Sequence, residues 1–310
     1  MLCRVSGFVG NDYDALLREA RGGDAGDRPV AELPDLRRVI GLDRDDWRGF
    51  LRTADDVSEA DLDARVAGVT PGSLSDILFT SGTTGHPKGA MFSHRQSLVA
   101  VRSFNFIHRL EPGDRAAIVP PFFHNFGYRA GWLACLGGGM TAFPVSEFHP
   151  TAFVRLIARE RITAVVAPPP VLRAIVDHRH EADVSSLRVT GTGSAAIDPR
   201  MIRDCEEKLG MEIVLTSYGL TENTGLATSN RADDDVETRA QTVGYAFPGC
   251  EMRVVNSDNR PVAAGEPGEV CLRGALVMQG YLDDPKATAE AIDAGGWLHT
   301  GDVGILDERG

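Results

Sequence analysis

One run, Thr80-Ser81-Gly82-Thr83-Thr84-Gly85-His86-Pro87-Lys88-Gly89, concentrates the residue types that can hold a polyphosphate. Its glycines let the backbone take positive φ and approach a ligand closely. Successive N–H groups turned the same way form an anion nest. Ser81, Thr83 and Thr84 add hydroxyl donors, and Lys88 adds a mobile cation. A Walker-type loop needs Gly, four residues, then Gly-Lys-Ser/Thr. Here Pro87 precedes Lys88 and Gly89 follows it, so the hydroxyl that would hold magnesium is missing and a P-loop NTPase fits poorly. The bland alternative is a Ser/Gly linker. The Pro–Lys pair, closing the run soon after an apolar strand, argues against it.

Other residues are chemically ambiguous alone. Glu222 offers the hard carboxylate oxygen that magnesium favours, but a Glu near a helix start is also stabilised by the helix dipole. Asp302 can accept two hydrogen bonds at once, or can simply serve the turn after Gly301. His124 stands among aromatics, where a lone His is more often packed than catalytic. Phe122, Phe123, Phe126 and Trp132 fit a pocket wall or a core equally well. Gly191-Thr192-Gly193-Ser194-Ala195-Ala196 matches a relaxed dinucleotide fingerprint between a strand and a helix. The acidic residue expected to end the next strand is absent, because Glu212 precedes it, so a nicotinamide dehydrogenase is the weaker reading.

The elements that must position these residues alternate. Short apolar strands are expected at 76–79, 116–119, 141–143, 162–166, 187–190 and 213–216, most with Gly or Pro close by, as buried parallel strands show. A further short strand is expected at 36–40. Ser93 can cap a helix running towards Ile107, and Phe153, Leu156 and Ile157 form an apolar stripe at i, i+3, i+4. Asp198 before Pro199 is a good helix start, and Gly210 a good stop. Strands alternating with helices imply an α/β fold with mainly parallel sheets flanked by helices. After about residue 240 the pattern changes. Strands at 252–255 and 269–272, separated by turn residues, predict a small antiparallel β region, with one short helix at 285–292. The expected organisation is an α/β core over 1–240 and a β-rich subdomain over 241–310.

In this order the motifs resemble those of the adenylate-forming enzymes, which include acyl-CoA synthetases and ligases. Leu78-Phe79-Thr80 through Gly89 is similar to that family's phosphate-binding motif, and Pro121-Phe122-Phe123-His124-Asn125-Phe126-Gly127 to its aromatic–histidine segment at the acyl pocket. Gly193-Ser194-Ala195-Ala196 occupies the place of its adenine loop, with two departures from Gly-Gly-Ala-Pro. Tyr218-Gly219-Leu220-Thr221-Glu222 is similar to its nucleotide and magnesium motif. Gly268-Glu269-Val270-Cys271-Leu272-Arg273-Gly274 with Gly280-Tyr281-Leu282 resembles its β-region motif, and Thr300-Gly301-Asp302 its ribose motif. The opening, Phe8-Val9-Gly10-Asn11-Asp12-Tyr13 through Leu17-Arg18, with the segment at Pro120, resembles actinobacterial acyl-CoA ligases of steroid-ring degradation.

The resemblance implies a two-step ligase. A carboxylate attacks the α-phosphate of ATP, giving acyl-adenylate and pyrophosphate; a thiol, usually that of CoA, then displaces AMP. It implies that Thr80 to Gly85 and Lys88 hold the β- and γ-phosphates, that Glu222 holds Mg2+, and that Thr221 binds a nucleotide phosphate. Tyr218 and Gly219, with Ser194, Ala195 and Ala196, would hold adenine, Asp302 the ribose, and His124 would gate the acyl tunnel. The partners implied are ATP, CoA and a small-molecule carboxylic acid of fatty-acid or steroid type. Family members continue past the Asp302 segment into a Gly-Arg-x-x-Lys-Asp hinge and a small domain that supplies a lysine. This sequence stops at Gly310. The expectation is therefore weak nucleotide or acyl-adenylate binding with little complete thioester synthesis, and a non-catalytic binding fragment is the competing reading.

Bulk properties bound the rest. The 310 residues are 43% hydrophobic and 25% charged, values of a globular protein with a sizeable core. The net charge of −12 repels phosphate backbones, so broad nucleic-acid binding is not expected. Five cysteines are scattered without CxxC spacing, which favours reduced, buried thiols in a cytoplasmic protein. No apolar run is long enough for a transmembrane segment.

Overall fold

The structure, a computed structural model, describes residues 1–8, 10–21, 33–43, 45–80 and 86–310. Val9 and Ser81, Gly82, Thr83, Thr84 and Gly85 lie outside the described residues. The chain divides into two compact units, Met1–Thr70 and Pro71–Gly310.

In the first unit, strand Leu2–Arg4 pairs in parallel with Val39–Gly41, which covers only the end of the strand expected at 36–40. Helix Tyr13–Ala20 starts at Asp12, whose carboxylate accepts from Ala15 N at 2.9 Å. The polar stretch around Asp55 to Asp63 forms a short 3-10 turn, Thr53–Asp56, and helix Glu59–Ala67, neither of which buries a residue.

The second unit is built on a seven-stranded sheet. Its order is Tyr245–Ala246, Thr228–Ser229, Ile213–Tyr218, Val189–Gly193, Ala164–Val166, Arg115–Ile118, Thr141–Pro144. The last five are mutually parallel, and Thr228–Ser229 pairs antiparallel with both of its neighbours. Helices Pro150–Glu160, Pro169–His178 and Pro199–Leu209 supply Ile157, Leu172, Ile175 and Ile202 to a core against Val165 and Val214 of the sheet. Because successive side chains of a strand face opposite ways, the neighbouring Val166 packs instead in a second core with Phe104 and Val101 of helix His94–Ile107. The fold is thus the expected α/β arrangement, a mainly parallel sheet flanked by helices.

Helix boundaries follow local chemistry. Asp198 caps Pro199–Leu209 through Arg200 N, and Gly210 ends it with φ of 71°. Ser93 forms a full capping box. Its hydroxyl accepts from Gln96 N at 3.4 Å, while Gln96 Oε1 accepts from Ser93 N at 2.8 Å. Ser93→Ala is expected to cost about 1 kcal/mol of stability, read as a lower urea midpoint; an unchanged midpoint would show that the cap contributes nothing.

The 76–79 strand departs from expectation. It belongs to Leu74–Thr80, which pairs antiparallel with Lys88–Ser93 in a separate three-stranded sheet completed by Gly280–Tyr281. It is an edge strand, and Phe79 is 66% exposed. Thr80 pairs with Lys88 in that antiparallel register. A third sheet is antiparallel: Cys250–Val255, Pro267–Gly274 and Leu298–Ile305. Asp302 therefore sits within a strand and not in a turn. Glu269, Cys271 and His299 tie that strand to its neighbour. His299 Nδ1 lies 2.8 Å from Glu269 Oε2 and 3.5 Å from Cys271 Sγ, and Glu269 Oε1 accepts from Gly301 N at 3.0 Å. All five cysteines are free; Cys3 is exposed, while Cys135, Cys205 and Cys271 are buried.

Candidate functional site

In an open parallel sheet, ligands bind in the crevice at the carboxyl ends of the strands. A cavity of about 140 Å³ lies there. Its lining includes Gly193 and Ser194, which end one strand, and Gly219, Leu220 and Thr221, which follow the next. His124, Asn125 and Phe126 face them from a short helix, with Phe104 from the helix beneath the sheet.

The 218–225 turn is fixed by its backbone. A Cβ on Gly219 would lie 2.1 Å from the Gly225 carbonyl oxygen, so only glycine lets the turn close on itself. Thr224 and Gly225 both take left-handed φ, 55° and 79°. Gly225 N donates to Leu220 O at 2.9 Å, and the buried Asn223 amide donates to Leu226 O at 3.0 Å. Ser194 also has positive φ, 65°. Strain of this kind at a non-glycine residue concentrates at ligand sites.

The glycines of the dinucleotide-like run have packing causes. A Cβ on Gly193 would lie 2.5 Å from Ser217 O, and one on Gly191 would lie 2.8 Å from His108 Nε2. Neither requires a pyrophosphate.

Two further clusters grow from the same turn. Tyr218 Oη donates to Asp302 Oδ2 at 2.5 Å. Burial, then the hydrogen bond to Asp302, pushes the Tyr218 hydroxyl well above its usual range. Both residues line a groove of about 530 Å³ whose walls include Val254, Tyr245 and Val303. On the other side, Tyr281 Oη donates to Glu222 Oε1 at 2.7 Å, and Lys88 Nζ sits 5.2 Å from the centre of the Tyr281 ring. Among the described residues no hydrogen bond engages Glu222 Oε2. One free carboxylate oxygen suits Mg2+, which binds few protein oxygens and keeps waters or phosphate oxygens for the rest.

The structure thus gathers Lys88 with Glu222, Tyr218 with Asp302, and His124 with Ser194, Gly219 and Thr221. Thr80 stands opposite Lys88. Ala195 and Ala196 are exposed and do not line the cavity. The aromatic segment divides: Phe126 lines the cavity, Phe122 and Trp132 pack together with ring centres 6.3 Å apart, and Phe123 is 82% exposed. His124 accepts from Phe126 N at 3.1 Å, capping its own short helix.

Three residues were not singled out by sequence. Asn125 lines the cavity, and its Oδ1 accepts from Arg129, which is fully buried. The signal was present: a lone Arg inside the apolar run 126–136 must find a partner when buried. Tyr281 is the third, standing inside a quoted motif without a role.

A family model described as AMP-binding enzyme matches residues 15–282. Among curated relatives, the chain is similar to 3-(7a-methyl-1,5-dioxo-octahydro-1H-inden-4-yl)propanoyl:CoA ligases. It is 45% identical to that of Mycobacterium tuberculosis over 90% of this chain and 54% of the relative. It is 42% identical to that of Rhodococcus jostii over 98% of this chain and 57% of the relative. The chain thus spans about half the length of these curated relatives. Among solved structures it resembles the N-terminal domain of FACL13 from Mycobacterium tuberculosis, with a TM-score of 0.77 and 26% identity, covering 96% of this chain and 70% of that one. It also resembles ATP-bound MatB from Rhodopseudomonas palustris, with a TM-score of 0.69 and 28% identity, covering 81% and 51%. Among the described residues no helix is long and apolar enough to cross a membrane.

Proposed function

Because the chain belongs to the AMP-binding enzyme family, we propose that it forms the nucleotide- and acid-binding part of an acyl-CoA ligase. Residues 1–240 are read as its α/β core and 241–310 as its β-rich subdomain. The reaction is attack of a substrate carboxylate on the α-phosphorus of ATP, forming the acyl-phosphate bond and releasing pyrophosphate. The CoA thiol then attacks the acyl carbon and AMP leaves. The acid is of the ring-bearing propanoate type named for the curated relatives, with a fatty acid as the second class, and the working compartment is the cytoplasm.

The observation that carries this reading is the 218–222 turn. It sets Thr221 on the cavity beside His124 and Ser194, Glu222 against Tyr281 near Lys88, and Tyr218 against Asp302. Phosphoryl transfer demands mostly positioning and charge neutralisation. Lys88, with Thr80 and the 81–85 backbone, neutralises the β- and γ-phosphates. Thr221 hydrogen-bonds the phosphate nearest the cavity, and Glu222 Oε2 holds Mg2+, whose charge balances the leaving pyrophosphate. Tyr218 and Gly219 flank adenine on one side, with Ser194, Ala195 and Ala196 opposite. Asp302 accepts from the ribose hydroxyls, and His124 closes the acid side of the cavity.

The test is Mg-ATP binding to the intact chain by calorimetry. Lys88→Ala and Glu222→Ala should each weaken it by roughly 10- to 100-fold, the loss of one strong charged contact. Unchanged affinity in both would remove the assignment.

A further inference from the structure

We propose that Tyr281 is a positioning residue: its ring holds the Lys88 ammonium and the Glu222 carboxylate apart, so that both stay free for one magnesium–phosphate unit. This rests on the reading of Lys88 and Glu222 just given.

A lysine and a glutamate facing one small space neutralise each other if they can touch. A pre-formed pair would have to be broken before phosphate or magnesium could bind. Here the two engage different parts of one phenol, Lys88 its face and Glu222 its hydroxyl. Its face carries Lys88 Nζ at 5.2 Å from the ring centre, a cation–π contact that leaves the ammonium its full charge. Its hydroxyl has one proton, and that proton is given to Glu222 Oε1 at 2.7 Å. That bond holds the carboxylate through Oε1 and leaves Oε2 without a hydrogen bond among the described residues. Among the described residues neither Lys88 nor Glu222 forms an ion pair.

The ring itself cannot drift. Tyr281 is 8% exposed, and its strand pairs with Lys88–Ser93, placing Tyr281 opposite Ala90. Leu282 N donates to Gly89 O at 2.8 Å, beside Lys88. Met278 N donates to the Glu222 backbone carbonyl at 2.8 Å. Tyr281 N donates to Thr288 Oγ1 at 2.8 Å. Gly280 takes φ of 147° with Thr288 packed where a Cβ would lie, so no larger residue fits there. The 278–282 segment is therefore bonded to Glu222 on one side and to Gly89, the neighbour of Lys88, on the other.

Two variants divide the roles. Tyr281→Phe keeps the spacer and loses the hydrogen bond. It should raise the Mg2+ concentration needed for half-maximal tightening of ATP binding by about fivefold, and leave affinity for metal-free ATP within twofold. Tyr281→Leu removes the spacer as well, and metal-free ATP affinity should fall about fivefold or more as Lys88 turns to Glu222. Adding Glu222→Gln to Tyr281→Leu should restore much of that metal-free affinity, which a merely structural role would not do. The proposal is overturned if Tyr281→Phe leaves the Mg2+ requirement unchanged, or if Tyr281→Leu gains nothing from Glu222→Gln, while the intact chain binds Mg-ATP through Lys88 and Glu222. Absence of ATP binding by the intact chain would instead remove the preceding reading and this one with it.

Discussion

Arg129→Met is expected to lower the unfolding free energy of the Pro71–Gly310 unit by about 3–5 kcal/mol, the usual result of removing one partner from a buried ion pair. Arg129 is fully buried. One guanidinium nitrogen donates to Asp76 Oδ1 and, at 3.3 Å, to Ser97 Oγ; another donates to Asn125 Oδ1. The group lies 4.2 Å from the centre of the Phe92 ring and 5.1 Å from that of Tyr128. Burial pulls its pKa down, and the Asp76 carboxylate opposes that fall. Without the arginine, Asp76 keeps only neutral donors, Tyr128 Oη at 3.2 Å and Ser97 Oγ at 3.1 Å. With its side chain 14% exposed, Asp76 recovers only part of its lost hydration. The double variant Arg129→Met with Asp76→Leu removes both charges and should regain most of the loss. Urea unfolding followed through Trp132 fluorescence measures both. A loss below about 1 kcal/mol in the single variant would contradict the ion-pair account.

The second large effect is a pH dependence. His108 is held neutral, its pKa lowered to about 4 by burial, with the Phe104 carbonyl pulling weakly the other way. Its Nδ1 lies 3.0 Å from that carbonyl and therefore carries the proton, while its ring stacks on Phe104 at 4.0 Å. Its Nε2 is buried without a partner. The unfolded chain protonates this ring near 6.5 and the folded chain near 4. Between those values the unfolded state binds more protons, so stability falls with falling pH. The loss begins below about pH 6.5 and grows to about 3 kcal/mol by pH 4, at 1.36 kcal/mol per unit. His108→Leu should remove that part of the slope. Comparing the two proteins at pH 7 and pH 4.5 cancels the carboxylate titrations that they share. Identical slopes would mean that His108 takes up its proton without cost.

These two networks show where sequence reading stops. The parallel strands and the caps at Ser93 and Asp198 were legible because each rests on a few contiguous residues. The strands Lys88–Ser93, Gly280–Tyr281 and Leu298–Ile305 were not, since they exist through pairing with distant partners. An apolar run such as 76–79 reads the same whether it is central or an edge; only the partner strand distinguishes the two. In the site, Thr221 and Glu222 were legible as one motif. Arg129 reaches Asp76 across 53 positions and Tyr281 reaches Glu222 across 59, distances at which spacing carries no signal. Ser81 to Gly85 remain assigned by motif, outside the described residues.

The closure of Gly219 on Gly225 has a thermodynamic consequence. One tightly closed bend of chain lines the 140 Å³ cavity at Thr221, meets Tyr281 through Glu222, and meets Asp302 through Tyr218. A guest that moved the bend at one of these three contacts would act on the other two through the same few residues. If two guests are coupled through the bend, the effect of each on the affinity of the other is equal.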